Sequence, residues 1–148
     1  MLGSADVNAL LVSNVVLDGS DGRFARRNIL LVADEGSLAR LGQRVLESAG
    51  FEVTAHTSSL HALESFRANP MHFDLLITDN MMPNMTGLEL VEKILAVRSN
   101  LPVLMVSGVG ETMSSEAQIM RGVTRVLPKP YESGVLEATV KEIIETSR

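Results

Sequence analysis

From residue 28 onward two hydrophobic rhythms alternate along the chain. Short unbroken apolar runs, Ile29-Leu30-Leu31-Val32, Leu75-Leu76-Ile77 and Val103-Leu104-Met105-Val106, have the length and continuity of strands buried on both faces. Between them apolar residues recur every three or four positions, the spacing of an amphipathic helix. The first such helix is capped by Ser37, carries Leu38, Leu41, Val45 and Leu46, and stops at Gly50. A second strand spans 51–56, and Ser59 opens a helix through Leu60, Leu63 and Phe66 that Asn69-Pro70 ends. Leu88, Leu90, Val91, Ile94 and Leu95 form a third helix. Residues 111–121 read as a fourth, with Ile119 and Met120 inward, followed by Gly122 and a strand over 123–127. A last helix over 132–147 gathers Val135, Leu136, Val140, Ile143 and Ile144 on one face.

Strands alternating with helices in this way predict an α/β fold, a three-layer sandwich whose parallel sheet is covered on both faces, because right-handed crossovers put the helices there. The periodicity does not give the order of the strands. Residues 1–27 break the rhythm: apolar positions from Val7 to Leu17 precede a turn cluster, Asp18-Gly19-Ser20-Asp21-Gly22. They read as an extension, and a linker from an upstream domain, a cloning remnant and an extra element that packs on a partner all remain open. The division expected is therefore 1–27 and 28–148.

At 148 residues and 45% hydrophobic, the chain suits one domain with a sizeable core. Its formal net charge of −5 opposes a sequence-independent grip on nucleic acid, which needs clustered Lys and Arg against phosphates. Without cysteine, disulfides, thiolate metal sites and cysteine nucleophiles are excluded. Its apolar stretches fall far short of the roughly 20 residues that cross a bilayer. No membrane contact and a cytoplasmic location are expected.

The chemistry concentrates at 73–87, FDLLITDNMMPNMTG. The apolar run ends at Thr78-Asp79, and Pro83, Asn84 and Gly87 then break regular structure. A carboxylate thus ends a buried strand, and ligands of parallel sheets bind at the carboxyl ends of their strands. A lone Asp after a strand more often caps the following turn, so the weight falls on what accompanies it.

This stretch resembles the phosphoacceptor segment of response-regulator receiver domains of two-component signalling, in which an Asp ends the third strand and is followed by x-x-Met-Pro and then a Gly, here Asp79, Met82, Pro83 and Gly87. The resemblance implies a flavodoxin-like (βα)5 fold with strand order 2-1-3-4-5. Asp34, Asp79, Ser107 and Lys129 would then share the carboxyl edge of the sheet. It also implies that Asp79 accepts a phosphoryl group from a phosphohistidine of a histidine kinase or a histidine phosphotransfer protein. Mg²⁺ would be held by Asp34, Asp79 and the backbone carbonyl of Met81, with waters completing its shell. Lys129 would place a point charge on a phosphoryl oxygen and Ser107 a hydrogen bond on another, while the backbone N–H groups of Asn80 and Gly108 complete the cradle. Lys129-Pro130 matches the family's Lys-Pro, with a cis bond expected. Output would run through the face made by the fourth helix, fifth strand and fifth helix, and a homodimer is compatible with it. FDLLITDNMMPNMTGLEL and Ser107-Gly108 look similar to receivers at the C-terminus of hybrid sensor kinases, and a stand-alone regulator fits equally.

Three departures qualify the resemblance. Ala33 stands where receivers usually carry the first acid of an acidic pair, leaving Asp34, with Glu35 as a partial substitute or simply a first-turn helix acid. Val126 replaces an aromatic that often rotates inward on phosphorylation, so the usual hydroxyl-aromatic coupling is absent. No output module follows within the sequence to Arg148. The competing reading is a pseudo-receiver, an interaction module that is not phosphorylated: Ala33 and Val126 favour it, Asp79 and Lys129 oppose it. An aspartate-nucleophile phosphatase ranks last, because Met81 occupies the place of its second acid. His56, His61 and His72 read as solvated or packed, and Met81, Met82 and Met85 as a soft packing cluster.

Overall fold

The computed structural model describes residues 27–108 and 113–147. In chain order its elements are β1 (Asn28–Val32), α1 (Gly36–Ser48), β2 (Glu52–His56), α2 (Ser59–Ala68), β3 (Leu75–Asp79), α3 (Gly87–Val97), β4 (Val103–Ser107), α4 (Ser115–Met120), β5 (Arg125–Pro128) and α5 (Ser133–Thr146). The five strands form one sheet in the order β2-β1-β3-β4-β5, parallel throughout. The expected three-layer α/β sandwich with order 2-1-3-4-5 is the one observed.

Alternation of side chains along each strand divides the core in two. Leu30, Val32, Leu76, Val103 and Met105 face α2 and α3, packing with Phe66, Leu90, Val91 and Ile94. Ile29, Leu31, Leu75, Ile77, Leu104 and Val106 face the other way, against Leu46 of α1 and Leu136, Val140 and Ile143 of α5. β3 is buried along its whole length, which is why its sequence reads as an unbroken apolar run. The edges differ: β2 starts with exposed Glu52, and β5 runs from exposed Arg125 to Pro128.

Several local expectations are corrected. α1 begins at Gly36 after Glu35 as N-cap, without a side-chain cap. Ser37 is therefore inside the helix. Leu38 and Leu41 are exposed, and the sheet is met instead by Ala39, Gly42 and Leu46. Small residues at the crossing let the helix lie close: a Cβ on Gly42 would sit 3.2 Å from Leu31 Cδ2. In α2 the cap is Ser58, whose Oγ accepts from the His61 N–H at 3.2 Å, and Ser59 is the first, buried helical residue. Thr86 and Glu89 cap α3 reciprocally, at 3.1 and 2.9 Å, a capping box.

The largest corrections concern α4 and β5. The expected start at Glu111 lies outside the described residues, and the helix is six residues long, capped by Ser114. Ile119 and Met120 point outward while Gln118 is buried. The turn after the helix sets this rotation. Gly122, at φ 108, and Val123 return N–H bonds to the carbonyls of Ile119 and Gln118 at 3.0 and 3.1 Å, the pattern of a Schellman cap. Val123 spends its N–H on the helix end, so β5 starts only at Arg125. Val135 of α5 is likewise exposed, whereas Leu136, Val140, Ile143 and Ile144 are buried as expected.

His56 closes β2 half-buried, with Nε2 buried and unpartnered among the described residues. Desolvation, and secondarily the charge of His61, lowers its pKa from the usual 6.5. The unfolded chain therefore takes up this proton first as pH falls, and folding loses stability as pH drops from about 6.5 through the lowered value. Urea unfolding between pH 7.5 and 5 should show this slope, and His56→Gln should flatten it.

Candidate functional site

β3 delivers Asp79 to the carboxyl edge of the sheet. Its register with β1 ends at Val32 opposite Thr78, and with β4 it pairs Asp79 with Val106. Thr78 Oγ1 donates to the Asp79 carbonyl at 2.8 Å. Asp79 is 7% exposed, and a carboxylate so nearly buried needs a compensating charge. Lys129 supplies it, with Nζ 3.0 Å from Asp79 Oδ1.

Lys129 is positioned by its own backbone. Its N–H donates to the Ser107 carbonyl at 2.8 Å as β5 ends, and the Lys129-Pro130 bond is cis, as expected. The strand ends β3, β4 and β5 thereby bring Asp79, Ser107 and Lys129 together. Ser107 and Gly108 are half-buried at the end of β4. The Gln118 amide approaches Ser107 Oγ at 3.5 Å.

The loop after Asp79 folds back on itself. Asn80 accepts twice from the start of α3, its carbonyl from the Gly87 N–H at 2.8 Å and its Oδ1 from the Leu88 N–H at 3.0 Å. Asn84 takes a positive φ of 71°. Met82 and Met85 are buried in the core, whereas Met81 is 66% exposed. At Gly87 the two segments nearly touch: a Cβ there would overlap the Asp79 carbonyl oxygen and lie 2.9 Å from Asn80 Cα.

On the other side of Asp79 a cavity of about 260 Å³ reaches between α1 and α5, walled by Ala33, Leu38, Leu41, Asp79, Lys129 and Tyr131. Burial pushes the Tyr131 phenol up and the Asp79 charge adds to this, while Lys129 acts in the opposite sense. Asp34 and Glu35 are exposed on the loop after β1. Among the described residues no three His, Cys, Asp or Glu side chains gather as a metal cage. The histidines stay apart from this edge in role: His72 packs its ring against Phe73 at 4.9 Å, and His56 belongs to the edge strand. Tyr131 and Gln118 are the neighbours that sequence reading missed. Tyr131 could have been found from its place after Lys129-Pro130, whereas a glutamine within a short helix gives no such signal.

Residues 29–141 match the sequence model of the response regulator receiver domain. The chain belongs to this family. Its receiver is 34% identical over 119 residues to the transcriptional regulatory protein CpxR homolog of Haemophilus influenzae, covering 80% of this chain and 51% of that protein. It is 31% identical over 117 residues to the sensor kinase CckA of Brucella abortus, covering 79% of this chain and 12% of that one. The chain thus spans about half the length of the first relative and a small part of the second. Among solved structures, the receiver domain protein from Clostridium thermocellum superposes with a TM-score of 0.77 at 26% identity, over 81% of this chain and 95% of that one. A receiver is a signalling module of two-component systems. Among the described residues no helix is long and apolar enough to cross a membrane.

The tight approach at Gly87 yields a test. Gly87→Ala must push the α3 start away from the Asp79 backbone, and overpacking of this kind typically costs about 1–3 kcal/mol. Denaturant unfolding should show that loss. The amide signals of Asn80 and Leu88 should shift with it.

Proposed function

We propose that this receiver accepts a phosphoryl group on Asp79 from a phosphohistidine of a histidine kinase or histidine phosphotransfer protein. The observation that carries the reading is the nearly buried Asp79 carboxylate with Lys129 Nζ at 3.0 Å, at the strand edge that also holds Ser107. In the transfer a carboxylate oxygen of Asp79 forms the new O–P bond as the N–P bond of the donor imidazole breaks, and the imidazole leaves with its electron pair and takes up a proton. Lys129 can move its charge from the carboxylate to a phosphoryl oxygen, and Ser107 can donate to another. The N–H groups of Asn80 and Gly108 are assigned to the remaining phosphoryl contacts.

The donor set fits Mg²⁺. Two carboxylates, Asp34 and Asp79, with the carbonyl of Met81 are hard oxygen ligands that leave room for waters, which this ion retains. When bound, Mg²⁺ supplies positive charge that offsets the repulsion between the carboxylate and the incoming phosphoryl group.

We assign residues 28–148 to the receiver and 1–27 to an extension. Output is assigned to the face of α4, β5 and α5, where Ile119, Met120 and Val135 are exposed and Arg125 pairs with Glu142 across to α5 at 3.1 Å. A homodimer through this face is compatible with those apolar positions, and no nucleic-acid contact is assigned to this acidic chain. We assign a cytoplasmic location. Relatives that are named both as transcriptional regulators and as sensor kinases support either a stand-alone regulator or a hybrid kinase as the parent. The second reading, an unphosphorylated interaction module, is favoured by Ala33 and Val126 alone.

Incubation with acetyl phosphate and Mg²⁺ should add one phosphate by intact mass. Asp79→Asn should abolish it. Absence of both the adduct and any beryllofluoride response in the unaltered protein would establish the interaction-module reading.

Ala33 lines the cavity beside Asp79, so a carboxylate placed there has space to face the site. Since losing one outer-shell acid typically weakens a metal by about 10–100-fold, Ala33→Asp should tighten Mg²⁺ by a similar factor, and Asp34→Ala should nearly abolish binding. The added charge repels Asp79 when no metal is bound. Thermal melts across a Mg²⁺ titration should therefore start lower for Ala33→Asp and rise more steeply; an unchanged half-saturation point would mean that Glu35 already serves as the missing acid.

A further inference from the structure

α4 carries its polarity inside out. Gln118 is 1% exposed, while its neighbours Ile119 and Met120 are 49% and 88% exposed. Burying a primary amide is unfavourable unless its hydrogen-bonding groups are paired, and an aliphatic side chain would avoid the cost. The pairing is incomplete. Nε2 donates to the Met113 carbonyl at 3.1 Å and approaches Ser107 Oγ at 3.5 Å, whereas Oε1 is buried without a partner among the described residues.

The Met113 bond identifies the nitrogen end of the amide, because two carbonyl oxygens cannot bond to each other. Gln118 therefore meets Ser107 as a donor. The serine oxygen accepts on that side, and its own hydrogen is directed elsewhere. Gln118 also holds the end of α4, since its backbone carbonyl accepts from the N–H groups of Arg121 and Val123 at 3.0 and 3.1 Å. A displacement of Gln118 thus moves both the helix and the approach to β5.

We propose that Gln118 transmits the state of Asp79 into α4, as a positioning residue acting through the Ser107 hydroxyl. The proposal rests on Asp79 being the phosphoacceptor. A phosphoryl group there brings new acceptor oxygens to the strand ends, and Ser107 turns its hydrogen toward them. Oγ is drawn along, and a contact already at 3.5 Å is lost. The amide is then held at Met113 alone with its carbonyl still unpaired, and α4 shifts to a position in which it can pair. Val126, half-buried against the same core cluster as Met113, has neither a hydroxyl nor a ring with which to follow Ser107.

Labelled protein titrated with beryllofluoride in the presence of Mg²⁺ tests this by NMR. The side-chain amide of Gln118 and the backbone amides of 115–121 should move together with those beside Asp79. Gln118→Met retains the volume and removes the donors; it should keep the response at Asn80 and lose the displacement in α4. Ser107→Ala should lose the same α4 response, and the double variant should lose no more than either single change, the mark of residues acting in series. If Gln118→Met does not fold, the unaltered protein's Gln118 signal and Ser107→Ala decide the matter. A Gln118 signal that stays still, or α4 shifts that survive either substitution, overturns the proposal while leaving Asp79 as phosphoacceptor. No beryllofluoride response anywhere overturns both.

Discussion

A carboxylate at the end of the most buried strand is the constraint on which the rest of the architecture depends. Asp79 is 7% exposed, and a charge in that position is tolerable only with an opposite charge and good hydrogen bonding close by. Lys129 meets that requirement from two strands away in the sheet and fifty residues away in sequence, which fixes the end of β5 relative to β3. The backbone bond from Lys129 to Ser107 then ties β4 into the same arrangement. On the opposite flank Gly87 lets α3 begin directly against the Asp79 backbone. The pair is therefore a clamp at the carboxyl edge of the sheet, joining the ends of β3 and β5 across β4.

The parts of this fold that sequence reading recovered are those where one force dominates. β1, β3 and β4 are buried on both faces, so their apolar runs have a single interpretation, and the strand order came from resemblance and not from periodicity. Asp79 could be singled out because it ends an apolar run ahead of Pro83, Asn84 and Gly87, whereas Ser107 and Lys129 were joined to it through the resemblance that supplied the strand order. Sequence reading failed where packing arbitrates between similar patterns. Leu38 and Leu41 have helical spacing, but Ala39 and Gly42 permit a closer approach to Leu31 and so take the sheet-facing side. Ser58 and Ser59 are equivalent as caps until the backbone chooses. Gln118 was illegible because its burial is imposed by the cap at Gly122 and Val123, a constraint that lies after the helix and not within it.

Ala33 links the two sides of the site. Its small side chain opens the cavity next to Asp79, and the exposed leucines of α1 extend that cavity's apolar wall outward. A position that usually supplies charge here supplies space. The mouth of the cavity is accordingly lined with apolar groups, while Asp34 retains a carboxylate on the adjoining loop.

The two outer strands have a consequence beyond the site. Among the described residues the sheet is open, bordered by β2 and β5, and the edges of an open sheet invite pairing with other chains. Here β2 begins with exposed Glu52 and β5 is four residues long, with exposed Arg125 at one end and Pro128, which has no N–H to offer, at the other. Both borders are short, charged or interrupted. Among the described residues, these features make the borders poor templates for edge-to-edge sheet growth.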